Sequence, residues 1–204
     1  MRVAVTGNMG SGKSTLARML QELGASLVDA DALARRVVDE DAEVQRDLVA
    51  AFGSDLVDTN GALDRRALAR RALTGADGRR QLEGIIRPRL EPILAAELAD
   101  AETATAIAVF DAPLVFEWGI QHWFERIFVV STEAATAALR VADSRGLGPE
   151  EVHERRAAQT RIHEYAGDVE FVDNNGSLME LRSKAEEIWS DLGRTLSCTR
   201  AEKE

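Results

Sequence analysis

Residues Gly7-Asn8-Met9-Gly10-Ser11-Gly12-Lys13-Ser14 fit the pattern G-x-x-x-x-G-K-[ST], and nothing else in the chain restricts its fold as tightly. The pattern works only in one setting. A buried strand must lead into the glycines, and a helix must lead out, so that curled backbone N–H groups and the helix's positive end face one anion. That setting is present. Arg2 to Thr6 is short and β-rich, and from Lys13 to Leu23 the apolar residues Leu16, Ala17, Leu20 and Leu23 recur at helical spacing before Gly24 stops the helix. Ser26 to Asp29 reads as a second strand, so the chain opens as a βαβ unit and predicts a parallel sheet. In such a loop the glycines, Gly10 and Gly12 among them, let successive backbone N–H groups point inward at phosphate oxygens, Lys13 reaches the β- and γ-phosphates, and the Ser14 hydroxyl ligates Mg²⁺. The chain has only three lysines among 25 basic residues, which makes the placement of Lys13 informative.

The remaining chain alternates between a sheet and a helical block. Residues 30–104 are rich in Ala, Leu, Arg and Glu and show no convincing strand. Turns are expected at Phe52-Gly53 and Asn60-Gly61, and helices over Leu63–Leu73 and Gln81–Leu98, the second kinked by Pro88 and Pro92. Strands return at Ala106–Phe110, Arg126–Val130 and Val169–Val172. Charged helices are expected over Glu133–Arg145 and Glu150–His163 around Gly146-Leu147-Gly148-Pro149, with a last helix from about Leu178 to Leu192 and a frayed tail from Thr195.

Composition narrows the class. At 204 residues the chain predicts one compact domain with insertions. The formal charge of −10 argues against a broad nucleic-acid surface, yet leaves room for an anionic small molecule in a locally basic cleft. A single cysteine, Cys198, forms no intrachain disulfide and fits a reducing cytoplasm. No apolar run approaches the roughly 18 residues of a membrane span. His122, His153 and His163 lack metal-ligand spacing, and His122 beside Trp123 reads as a loop anchor.

Phosphoryl transfer also needs a carboxylate on the attacking hydroxyl and cations around the moving charge. Asp29 and Asp31 end the second strand, at the sheet edge that faces the ligand crevice. Asp31 is favoured as base, with a helix cap as the alternative role for either. Arg35, one turn on, would orient that carboxylate or bind substrate phosphate. Asp111, before Pro113, stands where a metal-holding aspartate belongs, and Arg140 and Arg145 lie on the charged helices. A guanine-reading N-K-x-D is missing, and Asp173-Asn174-Asn175-Gly176 comes too late to act as a γ-phosphate switch. A small-molecule kinase with a lid fits these features.

Six segments, in order, resemble the bacterial dephospho-CoA kinase family: the V-T-G-x-x-G-S-G-K-S-T opening; Asp29-Ala30-Asp31 with Ala34-Arg35; Phe52-Gly53 followed by Gly61 to Leu68; Asp111-Ala112-Pro113-Leu114-Val115-Phe116-Glu117; Ala157-Ala158-Gln159; and Asp173-Asn174-Asn175-Gly176-Ser177. The resemblance implies an α/β P-loop kinase sandwich with a five-stranded parallel sheet. It implies a core over 1–29, 105–137 and 166–204, a helical CoA-binding insertion over 30–104 and a lid over 138–165. It implies ATP-dependent phosphorylation of the 3′-hydroxyl of dephospho-CoA with Mg²⁺. Gly10 to Thr15 would bind ATP phosphates, Asp31 would be the base, Arg35 and Arg87 would contact substrate, Arg140 would be the lid arginine, and Asn175 and Gly176 would hold adenine. The sequence departs at Asn8-Met9 for Gly-Ile, at Arg87 for histidine, and at Ser144 where a second lid arginine is common. Two alternatives are weighed: another nucleotide or nucleoside kinase, and a non-catalytic regulatory ATPase, the second kept open by the departures at Arg87 and Ser144. The oligomeric state is left open.

Overall fold

The computed structural model describes residues 1–57, 63–72, 75–145 and 169–201. Five strands form one sheet: β1 (Arg2–Thr6), β2 (Ser26–Asp29), β3 (Ala108–Asp111), β4 (Arg126–Ser131) and β5 (Glu170–Asp173). Their order is β2-β3-β1-β4-β5, and every pairing is parallel. β1 therefore has β3 on one side and β4 on the other, and strand order reverses at it. In an open parallel sheet the crevice beyond the carboxyl ends at such a reversal is where ligand binds. The register brings three strand ends level there: Val5 lies opposite both Asp111 and Phe128, and Asp29 lies opposite Asp111.

Seven helices accompany the sheet among the described residues: α1 (Lys13–Glu22), α2 (Ala30–Glu40), α3 (Ala42–Phe52), α4 (Arg65–Ala72), α5 (Ala76–Ala104), α6 (Ala134–Arg145) and α7 (Leu178–Ala201). The chain divides into two compact units, Met1–Asp29 with Leu98–Glu204, and Ala30–Glu97. In the first unit β1 and β3 are covered on both faces, which is why their sequences are nearly continuous apolar runs. Val3, Val5, Val109, Phe128 and Val130 pack with Leu16 and Leu20 of α1 and with Leu181, Ala185 and Leu192 of α7. At about 25 cal/mol per Å² of apolar surface removed from water, this cluster is the main force holding α1, and so the loop before it, against the sheet.

The second unit is helical. α3 packs on α2 and α4, with Val44, Leu48, Ala67 and Leu68 buried. Asp41 caps α3 by accepting from the N–H groups of Glu43 and Val44 at 2.9 and 3.0 Å, and Asp64 caps α4 in the same way through Arg66 and Ala67. Arg71 grips Asp55 through two bonds of 2.8 and 2.6 Å.

Several elements differ from the sequence expectation for identifiable reasons. β3 starts at Ala108, not Ala106, and just before it the Ile107 carbonyl accepts from Ser26 N–H and from the Thr105 hydroxyl. α5 is longer than expected, continuous over 29 residues with Pro88 and Pro92 inside it. Each proline removes only one donor, and Leu90, Leu94 and Leu98 bury a common face at four-residue spacing that offsets the loss. α7 continues to Ala201 instead of fraying at Thr195, since Leu192 is fully buried and Leu196 packs against the core. Cys198 is exposed on that helix. The turn at Asn60-Gly61, Leu73, the helix over Glu150–His163 with the Gly146–Pro149 break, Ala157-Ala158-Gln159, and the histidines at 153 and 163 lie outside the described residues. So do most of the lid span 138–165 and the side chains of Ser144 and Arg145.

Candidate active site

The glycine loop follows β1 directly, at the point where strand order reverses. Its shape is set by close approach on several sides. Gly10 has φ 76°, and a Cβ there would lie 2.9 Å from both the Ala137 carbonyl and a Val141 methyl of α6. Gly12 has φ 91° in the left-handed region, and a Cβ there would collide with the Asn174 amide. The loop closes on itself through Ser11 N–H to the Asn8 carbonyl at 3.0 Å. Asn8 takes part in that turn through its backbone, and its side-chain oxygen is buried without a hydrogen-bond partner among the described residues.

α1 begins with Gly12 as its first cap and has no side chain satisfying its leading N–H groups. α3, α4 and α7 each have one. For α7 it is a reciprocal pair: Ser177 Oγ accepts from Glu180 N–H at 3.2 Å, and Glu180 Oε2 accepts from Ser177 N–H at 2.5 Å. An apolar-sided helix left uncapped behind a glycine loop presents donors and a positive dipole end to an anion. Lys13 and Ser14 occupy its first turn, half-buried, with no side-chain partner among the described residues. The hydroxyls of Thr6 and Ser11 are buried without a hydrogen-bond partner.

Asp111 is the last residue of β3 and 7% exposed, and Asp29 lies opposite it on β2. Parallel strands in register turn such side chains to the same face. Asp31 sits in the first turn of α2, exposed and without a partner among the described residues. Arg35 is also exposed, its carbonyl accepting from Arg65 at 3.4 Å. Arg87 is half-buried on α5 and pairs with Glu91 at 2.8 Å.

The segment after β5 is more engaged than its sequence suggested. Asn175 accepts from Thr132 Oγ1 at 2.9 Å and from Glu133 N–H at 2.8 Å, and donates to Asp173 at 2.5 Å. Its amide ties the β4–α6 turn to this loop. Arg140 of α6 donates to the carbonyls of Asn174 at 2.8 Å and Gly176 at 3.1 Å. Asn174 is buried and donates to the Ser11 carbonyl at 2.7 Å. Sequence reasoning passed over Asn174 and Thr132. The available signal was a pair of adjacent asparagines just past a strand, one of which must be the inward-facing one. His122 holds its own loop through a 3.1 Å ring-nitrogen contact with the Gly119 carbonyl.

Residues 1–180 match the family model for dephospho-CoA kinase. The chain belongs to the dephospho-CoA kinase family. Dephospho-CoA kinases of Geobacter metallireducens and Corynebacterium glutamicum are 37% and 33% identical to it, covering 93% and 94% of this chain and 95% and 100% of their own. The crystal structure of TT1252 from Thermus thermophilus superposes with a TM-score of 0.76 at 30% identity, covering 94% of this chain and 97% of that one. As a member of the dephospho-CoA kinase family the chain is a phosphotransferase of coenzyme A synthesis, with ATP as phosphoryl donor. The regulatory ATPase and the other nucleotide kinases are not favoured.

Proposed function

We propose that this enzyme moves the γ-phosphoryl group of ATP to the ribose 3′-hydroxyl of dephospho-CoA, with Asp31 as the base. The observation that carries the reading is the uncapped start of α1 behind the glycine loop, at the strand reversal of the dephospho-CoA kinase sheet. Gly10 to Thr15 hold the phosphates through backbone N–H groups, and Lys13 counters the charge that spreads over the transferring oxygens. Asp31 takes the hydroxyl proton as its oxygen bonds to phosphorus, and ADP leaves carrying the former bridging oxygen. Its exposed carboxylate, without a partner among the described residues, supports this choice over Asp29, which lies at the sheet edge opposite Asp111.

Arg140 lies on the helix whose Ala137 and Val141 back Gly10, so its guanidinium is positioned to answer phosphate charge once it leaves the two carbonyls. Arg35 and Arg87 supply cations for the acceptor's phosphates, Arg87 in place of the family's histidine. With the Asn175 amide already engaged, adenine recognition falls to the backbone around Asn175 and Gly176. Mg²⁺ fits the residues offered. Ser14 and the buried Asp111 are hard oxygen donors, and the buried, unpartnered Thr6 hydroxyl lies one residue beyond the position opposite Asp111. When bound, the ion supplies charge neutralisation at the phosphates. A cytoplasmic location and the absence of a nucleic-acid partner accord with one exposed cysteine and net charge −10. No helix among the described residues is long and apolar enough to cross a membrane.

The test is ADP formation from Mg-ATP with and without dephospho-CoA, with the product weighed by mass spectrometry. Strict dependence on dephospho-CoA and a product heavier by one phosphoryl group are expected. Hydrolysis indifferent to the acceptor would refute the reading.

A further inference from the structure

We infer that Asn174 is a positioning residue for the phosphate cradle, setting affinity for the polyphosphate of ATP rather than for its base. The inference rests on reading the glycine loop as the ATP site. Asn174 is 6% exposed, and its amide reaches across 163 residues of sequence to the Ser11 carbonyl in a buried 2.7 Å bond. A peptide unit is planar and trans, so the Ser11 carbonyl and the Gly12 N–H point in opposite directions. Holding the carbonyl toward Asn174 turns the Gly12 N–H away from it. The same amide occupies the space a Cβ on Gly12 would need, and Gly12 is the cap residue from which α1 starts. Asn174 thus decides which side of the loop shows a donor and which shows an acceptor.

Without that amide the Ser11 carbonyl is left buried and unsatisfied. The Ser11–Gly12 peptide is then released to rotate, and rotation would present an oxygen where phosphate needs an N–H. The rest of the loop is anchored elsewhere, Asn174 N–H on the Ser131 carbonyl of β4 and Lys184 of α7 on the Asp173 carbonyl. Asn175 fixes the turn before α6, and the carbonyls of Asn174 and Gly176 hold Arg140. The Asn174 side chain is what carries a hydrogen bond from this loop to the phosphate loop at Ser11.

The experiment compares Asn174→Ala and Asn174→Asp with the parent enzyme by calorimetric titration of ATP, inorganic tripolyphosphate and adenosine, well below each variant's melting temperature. The alanine variant removes the donor together with the rest of the amide that packs over Gly12. The aspartate variant keeps the shape but opposes oxygen to oxygen and adds a charge. Affinity for ATP and for tripolyphosphate should fall about ten- to a hundredfold in the alanine variant and further in the aspartate variant. Adenosine affinity and the KM for dephospho-CoA should stay within about twofold, the margin of such fits. ATP affinity held within that margin in the alanine variant overturns the inference. An equal loss for adenosine and ATP overturns it too, because it would mean the loop has collapsed as a whole. So does a variant that melts earlier yet keeps the parent's affinities. These titrations need no turnover, so a failure of dephospho-CoA to act as acceptor would count against the proposed reaction and leave this result legible.

Discussion

The proposed reaction rests at the residue scale on one ammonium, that of Lys13. Lys13→Ala should leave the far-ultraviolet circular dichroism of the enzyme intact, because the Lys13 side chain makes no hydrogen bond or ion pair among the described residues, while kcat drops by about 10²- to 10³-fold or more. Asp31 is tested against its neighbour. Asp31→Asn should lower kcat by about 10²- to 10⁴-fold with little change in the KM for ATP. Asp29→Asn should act mainly on metal dependence, through its place opposite Asp111. If Asp29→Asn proves the more damaging to kcat at saturating Mg²⁺, the base is Asp29. Arg87 makes a different prediction. Its guanidinium is held at 2.8 Å by Glu91, so Arg87→Ala should raise the KM for dephospho-CoA several-fold and leave the KM for ATP alone. Equal shifts in both constants would remove it from the acceptor site.

Several ionised carboxylates tie the packed elements together at the surface, and they give the enzyme an acid limit. Arg71 holds the Asp55 carboxyl down to about 2. The Ala67 N–H at the start of α4 lowers Asp64, the Arg126 guanidinium lowers Asp191, Arg2 lowers Glu102, and the Ser177 N–H lowers Glu180. All five are depressed in the folded state. Each therefore binds fewer protons folded than unfolded, and adds stability that is complete above the ordinary carboxylate value of about 4. That stability is lost as pH falls through the lowered values. The urea midpoint should be flat from pH 7 to about 5 as far as these groups go, and fall steeply from about pH 4 toward 2. Arg71→Ala should shallow that fall. An unchanged slope would show that Asp55 is as acidic in the unfolded chain. Arg126 joins three elements, bonding Glu170 of β5 at 2.5 and 2.8 Å and Asp191 of α7 at 2.9 Å from β4. Its partners are nearly half exposed, so Arg126→Met should cost only about 1 kcal/mol.

For the whole molecule, ligand and fold are linked. ATP binds the cradle only when β1, the glycine loop and α1 are assembled. At about 100 times its dissociation constant it should therefore add ~2.7 kcal/mol to the stability of the unit that contains them. For a domain of this size that is a rise in Tm of about 5–10 °C. Differential scanning fluorimetry with ATP and with the Lys13→Ala variant checks it, the variant keeping its Tm but losing most of the shift. The two compact units leave room for a second outcome: a scan with two transitions, of which ATP moves only the one that reports Met1–Asp29 with Leu98–Glu204.

Much of this was legible in the chain because it depends on neighbours in sequence. The spacing of Gly7 to Ser14, the apolar run of Arg2 to Thr6 and the helical stripe after Lys13 specify strand, loop and helix through local geometry alone, and so pointed to phosphate binding and to a parallel sheet. Asp111 was legible as a strand-end carboxylate. Other features were decided by contacts between residues far apart in the chain. The sheet order that places β3 beside β1, the extension of α5 through two prolines and of α7 past Thr195 all follow from buried faces that no local propensity encodes. The loop after β5 is the sharpest case. Its sequence marked Asn175 and Gly176 as ligand contacts, whereas the fold commits the Asn175 amide to Thr132 and Glu133 and turns Asn174 inward to Ser11. Which of two adjacent asparagines faces the cradle is a matter of strand register and of what packs across the gap. Sequence determined that this chain binds phosphate and belongs among kinases. Tertiary structure alone decided which side chain aims the cradle, because that bond joins residues brought together only by the sheet.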